Sequence, residues 1–362
     1  MDAKMQKPVV VLDPHWRQLD ELFSATDFSA LNQLCELVWA RDEPMPRRVL
    51  EENLHRASFI ISARPKLDAG DIARAENLQA VIEVSGSFPD TIDYSSCFRR
   101  GIEVLCCAPG FRTSVAEMAV ALALAGARGI VQEHEAFRVG KEHWLDDNAA
   151  TDFSLYGQAI GFVGFGSIAR ECCRLLAPFK PKTLAYDPWL SSEIAKQHGA
   201  ELVALDQVAR SSRCLFVTAS PTKANKGLID AATLATMPPG ALLVLISRAH
   251  VVDFGALEMA VREGRIRAAM DVFSAEPVPS NDSVRTLQNA ILSPHRGAAV
   301  KGGRHLIGRM IVKDLARMLG GEPPADLQRA QPDLVSYLVG VQPANDDNSV
   351  SMALNRGRET IR

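Results

Sequence analysis

The sequence predicts an α/β protein of two domains, each built on a parallel sheet with helices around it, the second of them doubly wound. Three observations predict this class. The chain has 362 residues, more than one ordinary core supports. Short apolar runs alternate with helical stretches from Pro8 to Cys107, and a stronger alternation of the same kind runs from 159 to 293. Alternating strand and helix patterns of this sort fold as layers around a parallel sheet.

Composition narrows the partners. Hydrophobic residues make up 47% and charged residues 23%, so the apolar material for two cores is present. Forty Lys and Arg against 43 Asp and Glu leave a net charge of -3, which gives no basic field to hold nucleic acid. The apolar run in MDAKMQKPVVVLDPHW stops at Asp13, far short of a signal segment or a membrane span, so a cytoplasmic protein with no membrane contact is expected. The seven cysteines are scattered, mostly inside apolar segments, with neither the spacing of a zinc site nor a His cluster beside them. Buried free thiols and no metal are the expectation.

In the first domain the strands are read at PVVVLD (8–13), ASFIIS (57–62), LQAVIEV (78–84) and GIEVLCC (101–107). Ser114-Val115-Ala116-Glu117 has the pattern of a capping box and is expected to open a helix of about 25 residues, apolar nearly all round and so buried between layers. The second domain begins with AIGFV, KTLAYD, CLFVTA and ALLVLI and continues through RAAMDVF and AILS, six strands suited to a doubly wound sheet. A last helix is expected over Ala298–Leu319, stopped by Gly320-Gly321 and Pro323-Pro324. The tail beyond Gln331 is polar and without pattern.

The segment AIGFVGFGSIA joins an apolar strand to a helix through Gly164-x-Gly166-x-x-Ala169. Gly164 permits a tight turn, Gly166 lets the main chain approach a pyrophosphate, and the helix that starts at Ser167 and Ile168 aims its first amides at phosphate. Glycines at this spacing also mark ordinary strand–helix turns, so context decides. Asp187 closes the next strand 21 residues after Gly166, where a carboxylate accepts from adenosine ribose hydroxyls. It repels a 2′-phosphate, and Pro188 rather than an arginine follows, so NAD is expected over NADP.

Three further segments place chemistry at strand ends: LLVLISRAHVVD with Arg248, AAMDVFSAEP with Asp271 and Glu276, and ILSPHRGAA with His295. Open α/β sheets bind ligands at those ends. A 2-oxo acid offers a carboxylate and a carbonyl, which the planar fork of Arg248 can hold and polarise. Reduction needs a proton at the carbonyl oxygen, and His295 is the side chain that ordinarily titrates near neutrality. Glu276 would hydrogen-bond the imidazole and fix its tautomer. Any one of these residues alone is more often a solvated strand end; their ordered set is what carries the reading.

In these motifs, VGFGSIA, AYDP, SRAHVVD, DVFSAEP and SPHRG, with TIDYSSCFRRGIEVLCCAPGFRTSVAE before them, the chain resembles the D-isomer-specific 2-hydroxyacid dehydrogenase family, phosphoglycerate and hydroxypyruvate dehydrogenases among them. The resemblance covers about residues 50 to 320. It implies a Rossmann-type cofactor domain, 112–296, inserted in a smaller flavodoxin-like substrate domain made of 1–111 and 297–330, with a tail over 331–362. It implies a catalytic set of Arg248, Glu276 and His295, hydride transfer at C2 of a small D-2-hydroxy or 2-oxo acid, and a homodimer built through the cofactor domain. The cofactor contacts expected with it are Gly164, Gly166, Ser167, Ile168, Asp187, Pro188, Thr218, Asn225, Ile246, Ser247, Arg248, Asp271, His295 and Gly297, with Asp271 on the nicotinamide carboxamide. Substrate contacts are expected at Ser87, Phe88, Arg248 and His295.

The chain departs from the family pattern in three places. Phe88 stands where Gly is common in the loop before Asp90, Thr218 stands where many members have His, and Arg296 follows the histidine where an apolar residue is usual. A binding protein that senses the dinucleotide, as a corepressor does on this fold, is the competing class. Weak turnover with every 2-oxo acid alongside tight NADH binding would mark it.

Overall fold

The structure, a computed structural model, describes residues 7–145 and 152–335. It divides into two compact units, one reaching Phe111 and resuming at Val300, the other Arg112–Ala299. The chain returns to the first unit at 299/300, three residues later than the 296/297 boundary expected.

The first unit holds parallel strands β1 (Val9–Asp13), β2 (Glu36–Trp39), β3 (Ala57–Ser62), β4 (Ala80–Glu83) and β5 (Glu103–Cys106). Their order is 2-1-3-4-5, the flavodoxin-like arrangement. A two-residue strand, Gln328–Arg329, adds an antiparallel edge to β5. Strands β3 to β5 are buried along almost their whole length, as covered parallel sheets require, which is why they read as continuous apolar runs. β2 escaped the sequence reading because ELVW is short and partly exposed.

The second unit holds β6 (Ala159–Val163), β7 (Lys182–Tyr186), β8 (Glu201–Leu202), β9 (Cys214–Val217), β10 (Leu242–Leu245), β11 (Arg267–Met270) and β12 (Ala290–Leu292). All are parallel, in the order β12-β11-β10-β9-β6-β7-β8. Counted within the unit this is the Rossmann order 3-2-1-4-5-6 with a seventh strand at the far edge, and its direction reverses between β6 and β9. The two-residue β8 is one strand more than the six expected. Alternate residues feed two core layers: Val163, Leu215, Val217 and Leu243 into one, Ile160, Phe162, Phe216 and Val244 into the other. The rings of Phe162 and Phe216 stack with centroids 5.0 Å apart across the β6–β9 pair.

Three helix expectations are corrected. The buried helix begins at Arg112, so Ser114 lies inside it and does not cap it, and it ends at Ala127 instead of running about 25 residues. Gly129 in the left-handed region then redirects the chain into a separate helix, Ile130–Arg138. The small residues of the first helix let it lie close on the sheet, and a Cβ on Gly126 would come within 2.8 Å of Leu242. The last helix starts at His305 rather than Ala298, because Gly302 at positive φ holds the preceding stretch in turns; it ends before Gly320 as expected. Of the polar tail, Pro332–Val335 is a short helix and the rest lies outside the described residues.

Candidate active site

The glycine turn after β6 is held from two sides. Gly164 sits at φ +85, and a Cβ there would overlap the main chain of Ala219, so no other residue fits. Thr218 Oγ1 donates to the Gly164 carbonyl at 2.6 Å, and Asp187 accepts the Phe165 N–H at 2.9 Å and the Trp189 N–H at 3.0 Å. Thr218 and Asp187 therefore set the shape of the turn in addition to standing at its rim. A Cβ on Gly166 would meet nothing within 4 Å. Gly166 precedes a ten-residue helix, Ser167–Leu176, whose first amides receive no side-chain cap. That open cradle at a helix start fits a dinucleotide pyrophosphate. Ser247 Oγ, just past β10, is buried with no hydrogen-bond partner among the described residues, a second polar group suited to a bound cofactor.

Along the same sheet edge stand Ile246, Ser247 and Arg248 after β10, Asp271 after β11, and His295 and Gly297 after β12. His295 Nδ1 lies 2.6 Å from Glu276 Oε2, and Glu276 Oε1 accepts the Phe273 N–H at 2.9 Å. Burial pushes the Glu276 carboxyl up, but the His295 hydrogen bond and charge, the Phe273 amide and the Arg248 charge outweigh it and hold it below its ordinary value. An ionised Glu276 takes its proton contact from Nδ1 and leaves Nε2 for another partner. Arg248 also donates to the Ser247 carbonyl at 2.7 Å, which steadies its fork.

His295 occupies the left-handed region at φ +49, an unfavourable place for a side chain with a Cβ. Asp271 is what holds it there. This carboxylate is 1% exposed and accepts from Ser293 Oγ at 2.6 Å, Arg296 N–H at 2.8 Å and Gly297 N–H at 2.7 Å, while its own carbonyl accepts the His295 N–H at 2.8 Å. Asp271 is thus the brace of the histidine loop, a use that its expected contact with a nicotinamide carboxamide did not foresee. Ser293 was missed altogether, although a hydroxyl two residues before the histidine is a short reach from such an acid.

Two of the expected site residues are engaged in local structure. Asn225 spends its amide on the local chain, accepting from Thr222 N–H at 2.7 Å and donating to the Ser220 carbonyl at 2.8 Å, and it is buried. It shapes the loop after β9. The Phe88 side chain, 8% exposed, packs in the first unit's core with Val11, Ile60, Val81 and Val104. Its ring belongs to the core, so any part it plays toward a substrate falls to its main-chain N–H. Ser87 is half-buried in the turn after β4, and Arg296 is exposed. The acid that organises the Ser87 turn, Glu83, was also missed. Its signal was there: a carboxylate inside the apolar run LQAVIEV must find donors when buried, and Ser-Gly-Ser follows it.

A doubly wound sheet with a glycine turn at its point of reversal, inserted in a flavodoxin-like unit, defines the class of nucleotide-binding α/β dehydrogenases. Comparison with known proteins gives the particular branch. Residues 120–297 match the model of the D-isomer specific 2-hydroxyacid dehydrogenase, NAD binding domain. The chain is 31% identical to a glyoxylate reductase of Pyrococcus furiosus over 80% of its own length and 88% of that protein. It is 32% identical to a D-3-phosphoglycerate dehydrogenase of Archaeoglobus fulgidus over 74% of its length, and it spans half the length of that relative. A phosphoglycerate oxidoreductase structure from Rhizobium etli superposes with a TM-score of 0.79 at 34% identity, covering 90% of this chain and 99% of that one. The chain belongs to the D-isomer-specific 2-hydroxyacid dehydrogenase family.

Proposed function

We propose that the protein is an NAD-dependent dehydrogenase of a small D-2-hydroxy acid, working at C2. The observation that carries the reading is the 2.6 Å contact between His295 Nδ1 and Glu276, on the sheet edge that also bears the glycine turn. When bound, the nicotinamide supplies or accepts the hydride. His295 delivers a proton from Nε2 to the carbonyl oxygen in reduction and takes it back in oxidation. Glu276 holds Nδ1 and so keeps the imidazole turned with Nε2 free for the substrate. Arg248 holds the carboxylate and polarises the carbonyl with its planar fork.

Gly164, Gly166, Ser167, Ile168, Asp187, Pro188, Thr218, Ile246, Ser247 and Gly297 make up the cofactor cradle in this reading. The Asp187 carboxylate supports NAD over NADP because a 2′-phosphate would meet a like charge. The first unit acts as the substrate domain, with Ser87 in its turn. Apolar groups exposed on and after the helix Ile130–Arg138, namely Ile130, Phe137, Val139, Trp144 and Leu145, support a homodimer through the cofactor unit. Seven free thiols, six of them buried, suit the reducing cytoplasm.

A panel of glyoxylate, hydroxypyruvate, pyruvate, phenylpyruvate and 2-oxoglutarate with NADH and NADPH tests the reading. Turnover of at least one acid at enzymatic rates, with NADH preferred, is expected. Tight NADH binding with negligible turnover of all five would transfer the protein to the sensing class.

A further inference from the structure

The turn after β4 contains an anion site that the protein fills itself. Glu83 ends β4 and is 1% exposed. Its Oε1 accepts the Ser85 N–H at 2.6 Å and the Ser85 hydroxyl, and its Oε2 accepts Gly86 N–H at 2.8 Å and Ser87 N–H at 2.9 Å. The Cys106 thiol approaches Oε2 at 3.5 Å from the neighbouring strand. Three consecutive main-chain N–H groups converge only because Gly86 adopts φ +98, a conformation closed to side chains, and a Cβ there would come within 2.8 Å of the Phe111 ring. Successive amides bent around one point form the concavity that binds anions in many proteins. Here the anion is a side chain.

Three of the groups aimed at Glu83 are main-chain N–H groups, which can only donate and need an acceptor on both oxygens; the Ser85 hydroxyl and the Cys106 thiol can donate too. Burial outweighs the serine hydroxyl and the three amides and leaves its carboxyl raised above the ordinary value. The rest of the turn is fastened to the core. Phe88 packs below it, and Tyr94 donates its hydroxyl to the Pro89 carbonyl at 2.7 Å.

We propose that Glu83 is the positioning residue of the substrate-domain turn: its carboxylate occupies the amide cradle of Ser85, Gly86 and Ser87, closing it to external carboxylates. The turn then has the Ser87 hydroxyl and the Phe88 N–H left to offer a substrate. The part of this inference that concerns substrate rests on the proposed dehydrogenase reading; the part that concerns the filled cradle does not.

The experiment compares the full-length protein with Glu83→Gln and Glu83→Ala by amide hydrogen exchange, by Tm in formate, acetate or chloride, and by kinetics. In the unmodified protein the amides of 85–87 are expected to be protected, with Tm no higher in formate than in chloride. Glu83→Gln keeps the volume but turns one acceptor into a donor, so exchange at these amides should rise about tenfold or more, the equivalent of one lost charged hydrogen bond. Glu83→Ala empties the cradle, and formate, but not chloride, should restore both protection and Tm.

With a 2-oxo acid that turns over, both variants should raise KM about tenfold while kcat and NADH affinity stay within a few-fold, and formate should return KM in Glu83→Ala toward normal. A merely structural role would not answer to formate. Unchanged exchange and KM in Glu83→Gln overturns the proposal, as does a Glu83→Ala protein indifferent to formate. Should Glu83→Ala fail to fold, the exchange and KM of Glu83→Gln decide alone. Should no acid turn over in the unmodified protein, the dehydrogenase reading falls while exchange and formate rescue still judge Glu83.

Discussion

Glu83 in the first unit and Asp271 in the second do the same physical work in different company. Each is a carboxylate 1% exposed at the end of an inner strand, and each gathers consecutive main-chain N–H groups of a loop, Ser85 to Ser87 in one case and Arg296 with Gly297 in the other. Asp271 draws its donors from the loop after the adjacent strand β12, and in doing so pins His295 at positive φ. Glu83 folds its own turn back on itself and pins no titratable side chain. A third buried acid, Asp314, gathers the N–H groups of Ala325, Asp326 and Leu327 with no ligand-binding sheet edge nearby in sequence. Each of these three buried carboxylates is therefore first a brace for a loop. Whether it matters to chemistry depends on what the loop carries.

That contrast sets the expected effects. The largest is at the loop that carries the histidine. His295→Ala should reduce kcat/KM by roughly 10²–10⁴-fold while NADH binding, followed by fluorescence titration, stays nearly unchanged. Survival of turnover within a few-fold would make His295 an ordinary loop residue and erase the difference between the two braces. Asp271→Asn should reach the same chemistry indirectly, lowering kcat by about 10²-fold through misplacement of the imidazole. A loss confined to KM would make it resemble Glu83.

Phe88 sharpens the comparison from the other side, since its ring belongs to the core of the Glu83 unit. Phe88→Ala should cost about 3–5 kcal/mol in denaturant unfolding, the usual range for a buried aromatic. The order in which hydroxypyruvate, glyoxylate and phenylpyruvate are preferred should survive wherever the variant remains folded. A changed order with unchanged stability would return Phe88 to the substrate. Asp187→Ala should narrow the preference for NADH over NADPH by about tenfold or less, because the carboxylate also holds the Phe165 amide and its loss weakens both cofactors.

The smallest effect is on pH. The Glu276 carboxyl is depressed in the folded protein from an ordinary value of 4.5. A depressed carboxyl contributes stability that is complete above its unfolded pKa and lost as pH falls through the folded value. Glu276→Gln should lack that increment above about pH 4.5, and its acid unfolding should not show the loss of stability that the unmodified protein undergoes as pH falls below about 4.5. Identical acid profiles would mean that the contact with His295 is too solvated to register.

Much of this was legible before any coordinates. Inner strands buried on both faces leave a run of Val, Ile, Leu and Ala in the sequence, so β1, β3 to β7 and β9 to β12 were read close to where they lie. The strands missed, β2, β8 and Gln328–Arg329, are short and part-exposed, and carry too few apolar residues to stand out. The helix from Arg112 was misread at its start because a Ser-x-x-Glu pattern scores as a cap wherever it falls, while burial of Ser114 inside the helix is a matter of packing.

By itself the sequence determined which residues end strands and which chemistry they bring: the glycine turn, Asp187, Arg248, Glu276 and His295. Strand ends follow from local hydrophobic pattern, and chemistry follows from residue type. Only the tertiary structure decided who spends whose hydrogen bonds. Asn225 turns inward on its own loop, Phe88 enters the core, and Glu83, Asp271 and Ser293 brace loops. Such assignments depend on which donors burial brings within about 3 Å of an acceptor, and that proximity, between residues 2 to 26 positions apart here, is written in no local pattern.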